Sequence, residues 1–251
     1  MNHENQIIPK TSGKNETALD EAQPANNGFH HTLLSQKHYL IATATGLLFP
    51  LPVVYFYRAG NNVLNEIFFY LTILCSTLYL FATFKKMLLE HFNFRQIRLP
   101  TDLLFFSLTM YLGLSLLGEL FLHHPYDLDL AKATFIEKAL YYATLLGSFG
   151  TSTALILISF ELENLPHKLY GLLKPFRYVL LTLSLFLLLF SLAIVNINLS
   201  QVNLMVGLSV VVLIISEVMI ILTYTVNCLL LSFIFLFAAF RGLPKLTLTT
   251  E

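Results

Sequence analysis

Residues 204–240 read LMVGLSVVVLIISEVMIILTYTVNCLLLSFIFLFAAF, a run of 37 positions with one charge, Glu217, and no proline. A bilayer core about 30 Å thick is crossed by roughly 20 apolar residues in an α-helix, the one open-ended structure that satisfies its own backbone hydrogen bonds in lipid. As a single helix this run extends about 56 Å. Three readings follow: one tilted helix that continues into the cytoplasm, two spans turning near residues 223–227, or a first part that enters the membrane only partway.

Further runs of membrane-spanning length precede it, at about residues 39–57, 63–84, 102–122, 139–160 and 178–195. The chain is 56% hydrophobic and 12% charged, against about 25% charged for a soluble domain. Fifteen basic and fifteen acidic residues balance, so the net charge carries no nucleic-acid signature and no nucleic-acid partner is expected. Gly46, Pro50 and Pro52 fall inside the first run and predict a kink or local unwinding there. The polar stretch before residue 39 is longer than a cleavable signal allows, so residue 39 opens a retained span. Residues 1–38 are expected to be a disordered cytoplasmic tail, 39–240 the transmembrane bundle and 241–251 a short cytoplasmic tail. Cys75 and Cys228 lie in apolar runs and read as buried free thiols rather than a disulfide framework.

The basic residues decide between the span counts. With six spans and the amino terminus inside, Lys10, Lys14 and Lys37, then Lys85, Lys86, Arg95 and Arg98, then Lys168, Lys174 and Arg177, and finally Arg241 and Lys245 face the cytoplasm. That is twelve of the fifteen, leaving Arg58, Lys132 and Lys138 outside. A seventh span would move Arg241 and Lys245 outside, giving ten against five. Cytoplasmic loops are enriched in Lys and Arg, so six spans are preferred and seven stay open. The fold class is therefore all-α, a polytopic transmembrane helix bundle with both termini cytoplasmic, and the location a cell membrane. Residues 85–100 and 161–177 interleave basic residues with Met87, Leu88, Phe92 and Ile97 in the first stretch. That mixture reads as membrane-surface segments able to meet anionic headgroups.

Glu217 is the intramembrane ionisable residue. Such carboxylates usually face protein or water, because lipid exposure costs several kcal/mol. Ser209, Ser216, Tyr224 and Asn227 follow helical spacings around it and predict a polar stripe. The alternative is a helix face packed on its neighbours with Glu217 protonated or hydrogen-bonded.

On the predicted outer side, Glu119 and His123 are four apart, with His124, Asp127 and Asp129 following and Glu66 near the outer end of the second span. Histidines with carboxylates suit a transition metal or a pH sensor. No established ligand spacing is matched, so no metal site is assigned. Gly147, Gly150, Thr151 and Ala154 belong to small pairs four apart in the fourth span and predict close helix packing, within the bundle or across a dimer.

No phosphate-binding glycine loop, paired-histidine zinc helix or nucleophile turn occurs. Ser152 lacks a following glycine, and no histidine lies deep in another span to act as its base. No histidine sits at a span centre to ligate a haem. No cofactor is expected and no catalytic residue is assigned. The expected partners are the lipid bilayer and either a further copy of the chain or another membrane protein. Three functions remain in view: a non-enzymatic sensor or accessory subunit, a small proton- or cation-linked transporter or channel using the Glu217 stripe, and an intramembrane lipid-modifying enzyme. The first leads, because a polar path across the bilayer ordinarily needs more polar residues than these spans hold.

Overall fold

The computed structural model describes residues 25–58, 63–122, 133–165, 167–199 and 203–241. All elements are helical, with no strand among the described residues. They are α1 (Ala25–Leu48), α2 (Pro50–Arg58), α3 (Val63–Phe92), α4 (Arg98–Leu122), α5 (Phe135–Glu161), α6 (His167–Leu199) and α7 (Asn203–Arg241). Six candidate membrane spans result, the first (Gln36–Arg58) shared between α1 and α2. The 37-residue run is one unbroken helix within α7.

Local chemistry accounts for where the helices stop. The first span breaks at Phe49, because a proline ring disfavours helical geometry in the residue before it. Pro50 then occupies the first position of α2, where its missing N–H is no loss. Helix α1 reaches back to Ala25, ahead of the apolar run that opens at residue 39. Once a helix is nucleated, adding residues to its end costs little, so the boundary of the apolar run need not be the boundary of the helix.

Likewise α3 runs past Lys85 and Lys86 to Phe92 and turns at Asn93 with φ 48°. Asparagine is among the few non-glycine residues that adopt that conformation readily. A single 3₁₀ turn, Arg95–Ile97, leads into α4. The membrane-surface reading of this stretch is corrected: Met87, Leu88 and Ile97 are fully buried and Phe92 nearly so, packed in the bundle core. Its charges are partly paired, Lys85 with Asp102, Lys86 with Glu90 (3.9 Å) and Arg98 with Asp102 (4.0 Å). The second such stretch is also built into the bundle. Leu173 and Phe176 are fully buried, while Arg177 donates to Glu163 (2.7 Å) and to the Tyr170 hydroxyl (2.9 Å). At the opposite end, α5 opens with a capping box in which Thr134 and Glu137 satisfy each other's backbone N–H groups.

The helices form a ring. Each of α3, α4, α5, α6 and α7 packs on the next; α7 packs on α1, and α1 and α2 return to α3. Small residues set the tightest seams. A Cβ on Gly147 would lie 2.6 Å from the Tyr111 backbone nitrogen, and one on Gly150 would lie 2.5 Å from Ser107 Oγ. The glycines therefore bring α4 and α5 together inside one chain. Between α5 and α6, Ser148 and Ser191 share a hydrogen bond (2.6 Å), and Ser152 donates to the Ser184 carbonyl (2.9 Å). Gly46 lets α1 approach Ser232 and the Cys228 carbonyl on α7. Phe106, Leu146, Phe233 and other large apolar residues cover the outside, as expected for helices that bury one stripe in protein and present the rest to acyl chains.

Candidate functional site: a cavity inside the ring

Five helices leave a space between them. Its volume is about 120 Å³, far above the roughly 15 Å³ that admits one water. Glu217, Tyr224 and Asn227 of α7 face it, with Ile220 and Ile221 between them. Their offsets of three, four, seven and ten residues fall on one helix face. Helix α3 contributes Phe69, Tyr70, Ile73, Thr77 and Phe81, and α4 contributes Leu104, Leu108, Tyr111 and Leu112. Thr151 and Leu155 of α5 and Leu183, Leu187 and Phe190 of α6 complete the wall.

Two interhelical hydrogen bonds set the register of the helices. Ser76 Oγ and the Tyr224 hydroxyl are 2.5 Å apart, and Asn196 donates to Ser209 Oγ at 2.6 Å. Helices α3 and α7 run in the same direction, so seven residues back from the first pair, about 10 Å, Glu217 is level with Phe69. The α7 span begins at Val206. Glu217 is therefore about 16 Å along α7 from that point, while Phe69, level with it, is about 9 Å from the start of α3 at Val63. Glu217 is half-buried. Toward the basic end, the interior is filled by the fully buried Phe84, Met87, Leu88, Phe176 and Phe235. The rings of Phe81, Phe84 and Phe176 meet there with centroids 5.0–6.5 Å apart.

The residues read as one stripe divide between two faces. Glu217, Tyr224 and Asn227 look into the cavity. Ser209 is turned to Asn196 on α6, and Ser216, seven residues on, is buried on the same flank. Asn227 is 2% exposed, and its amide oxygen has no hydrogen-bond partner among the described residues. Among the described residues, no Lys, Arg or His lines the cavity.

Of the outer cluster, Glu66 is half-buried in the first turn of α3 and Glu119 is buried near the end of α4. His123, His124, Asp127 and Asp129 lie outside the described residues. Among the described residues there is no group of three or more His, Cys, Asp and Glu placed to hold a metal. Thr151 donates to the Gly147 carbonyl (2.8 Å) while lining the cavity, and Ala154 is fully buried. Cys228 is buried; Cys75 is exposed on the outside of α3, against the burial expected for it.

Fifteen of the nineteen lining residues went unremarked in the sequence, and the aromatic or polar ones among them are Phe69, Tyr70, Phe81, Tyr111, Phe190 and Thr77. Five are aromatic in a chain that is 14% aromatic, so nothing in their local pattern separates them from lipid-facing rings. No protein-family model, curated protein or solved structure matches the chain.

Proposed function

We propose that this multi-pass membrane protein is a non-enzymatic binding protein, a sensor or regulatory subunit whose small ligand occupies the cavity inside the helix ring. The carrying observation is the cavity itself: mostly apolar, with a few polar groups in fixed positions, as in small-molecule sites generally. The phenylalanine-packed interior toward the basic end favours a holding site over a through-path. Ser152, the one serine weighed as a nucleophile, has its hydroxyl engaged by Ser184, which argues against hydrolytic chemistry there. By the excess of Lys and Arg, the basic end faces the cytoplasm.

The test is photolabelling in lipid nanodiscs with an alkyl-diazirine probe. Saturable label on the lining peptides of α3 and α7, competed by excess unlabelled alkyl ligand and lost in Leu187→Trp, supports binding. Label that never saturates, spread equally over lipid-facing peptides, refutes it. A second reading, a proton- or cation-linked transporter, draws on Glu217 alone, the acid facing the cavity. It requires flux in proteoliposomes that Glu217→Gln abolishes, and no flux in the parent removes it.

A further inference from the structure

We propose that the ligand is an amphiphilic amine, its ammonium group at Glu217 among aromatic rings and its apolar body directed toward Asn227, where a second hydrogen-bond donor meets the amide oxygen. The inference rests on the binding reading above and adds the chemical class. Three observations converge on it.

Glu217 presents a carboxyl group to a space whose wall holds no basic side chain among the described residues. A carboxylate inside a low-dielectric bundle is stable when a positive charge or strong donors meet it, and here the wall supplies no cation, so the occupant does. Aromatic side chains surround the same space: Phe69 level with Glu217, Tyr70 beside it, Phe190 on α6 and Tyr111 on α4. Ring faces attract ammonium groups, most strongly when both are shielded from water. An acid with a collar of rings selects a cation over a neutral or anionic head.

The third observation is Asn227. Its buried amide oxygen lines the cavity without a hydrogen-bond partner among the described residues. Leaving such an acceptor empty costs more than a hydrogen bond returns, so a ligand with a donor at that depth is preferred to one ending in methyl. Ten residues of helix separate the two groups, about 15 Å. The wall between them is Ile73, Leu108, Leu183, Leu187 and Ile221 with Tyr224, and Tyr224 is already bonded to Ser76. The middle of the ligand is therefore hydrocarbon.

The probe set is 12-aminododecan-1-ol, dodecylamine and dodecan-1-ol, with dodecanoate as the anionic control. The full chain is reconstituted in nanodiscs of neutral phosphatidylcholine, with empty discs subtracted. The chain contains no tryptophan, so Phe190→Trp supplies a background-free fluorescence reporter that keeps an aromatic ring in the wall. The amino-alcohol is expected to bind about tenfold more tightly than the alcohol, from the charge and the rings together, and about fivefold more tightly than the plain amine. Dodecanoate is expected not to bind.

Glu217→Gln, nearly isosteric, should erase the preference for amine over alcohol while leaving alcohol affinity unchanged. Asn227→Leu should erase only the preference for amino-alcohol over amine. Equal binding of amine and alcohol to the parent overturns the proposal and leaves the cavity reading standing. Absence of all binding together with unsaturable diazirine label overturns both. A preference for amines that survives Glu217→Gln in protein of parental thermal stability also overturns it, by locating the charge selectivity elsewhere.

Discussion

Replacing Gly147 with alanine should loosen the α4–α5 seam, and the size of the effect follows from geometry. The added Cβ would stand 2.6 Å from the Tyr111 nitrogen, 2.9 Å from its Cα and 3.1 Å from the Met110 carbonyl carbon, where ordinary contact begins near 3.4 Å. All three atoms are backbone, so no rotamer change relieves them and α4 must retreat by about 0.8 Å. A gap of that size forfeits a quarter to a half of the dispersion energy along the seam. Overpacking of this kind costs about 1–3 kcal/mol. Against it stands the helix-propensity gain of alanine over glycine, about 1 kcal/mol at most. The net loss is up to about 2 kcal/mol, or a fall in Tm of up to roughly 8 °C for a chain of this length.

Gly171→Ala and Gly207→Ala are the controls, since a Cβ at either position meets nothing within 4 Å. They should leave Tm unchanged or raise it. The assay is thermal unfolding of detergent-purified protein followed by loss of the monodisperse peak. A Gly147→Ala variant as stable as Gly171→Ala would refute the close backbone approach of α4 and α5. Gly150→Ala sharpens the test, because its obstruction is the Ser107 side chain. It should destabilise alone and be rescued by Ser107→Gly, whereas no side-chain change on α4 should rescue Gly147→Ala.

Three smaller outcomes follow. Asn93→Val places a β-branched residue at φ 48° and should cost about 1–2 kcal/mol, while Asn93→Gly should be neutral; equal Tm values for the two would contradict the turn. Thr134→Ala removes the α5 capping box and should cost about 1 kcal/mol, read as faster hydrogen exchange confined to the first turn of α5. A double-mutant cycle of Ser148→Ala and Ser191→Ala should give a coupling of about 0.6 kcal/mol, the usual size for such bonds between membrane helices, and strictly additive effects would show that the pair does not interact.

Hydrophobic length located the spans, because crossing a bilayer imposes a minimum run that few other structures require, and the placement of the basic residues favoured six over seven. Helix ends were less legible. Lys85 and Lys86 mark where lipid stops rather than where α3 stops, and the helix continues until Asn93 turns it. Met87, Leu88 and Ile97 were less legible for a related reason: apolar residues beside charges suit a membrane surface and a packed bundle end equally well. Glu217 stood out by charge, and its offset to Tyr224 and Asn227 followed from helical period. Which face of α7 turns inward did not, since in an apolar helix the lipid side and the protein side share one composition. For the same reason, Phe69 and Phe190 could not be told from rings that meet acyl chains. The separation of Ser209 from Glu217 depended on Asn196, a residue of the preceding helix.

The contact of α1 with α7 has a consequence for biosynthesis. Thr43 and Ser232 meet across 189 positions of sequence, and Gly46 sits against Ser232 and Cys228 in the same seam. At about 5–20 residues per second, α1 waits roughly 10–40 s in the membrane before its partner is synthesised. During that interval its Thr43–Gly46 groove faces lipid or an insertion chaperone, and the wall of the cavity still lacks α7. A nascent chain stalled before residue 203 therefore carries an open ring, and the last helix to emerge both closes the circle and delivers its acidic residue.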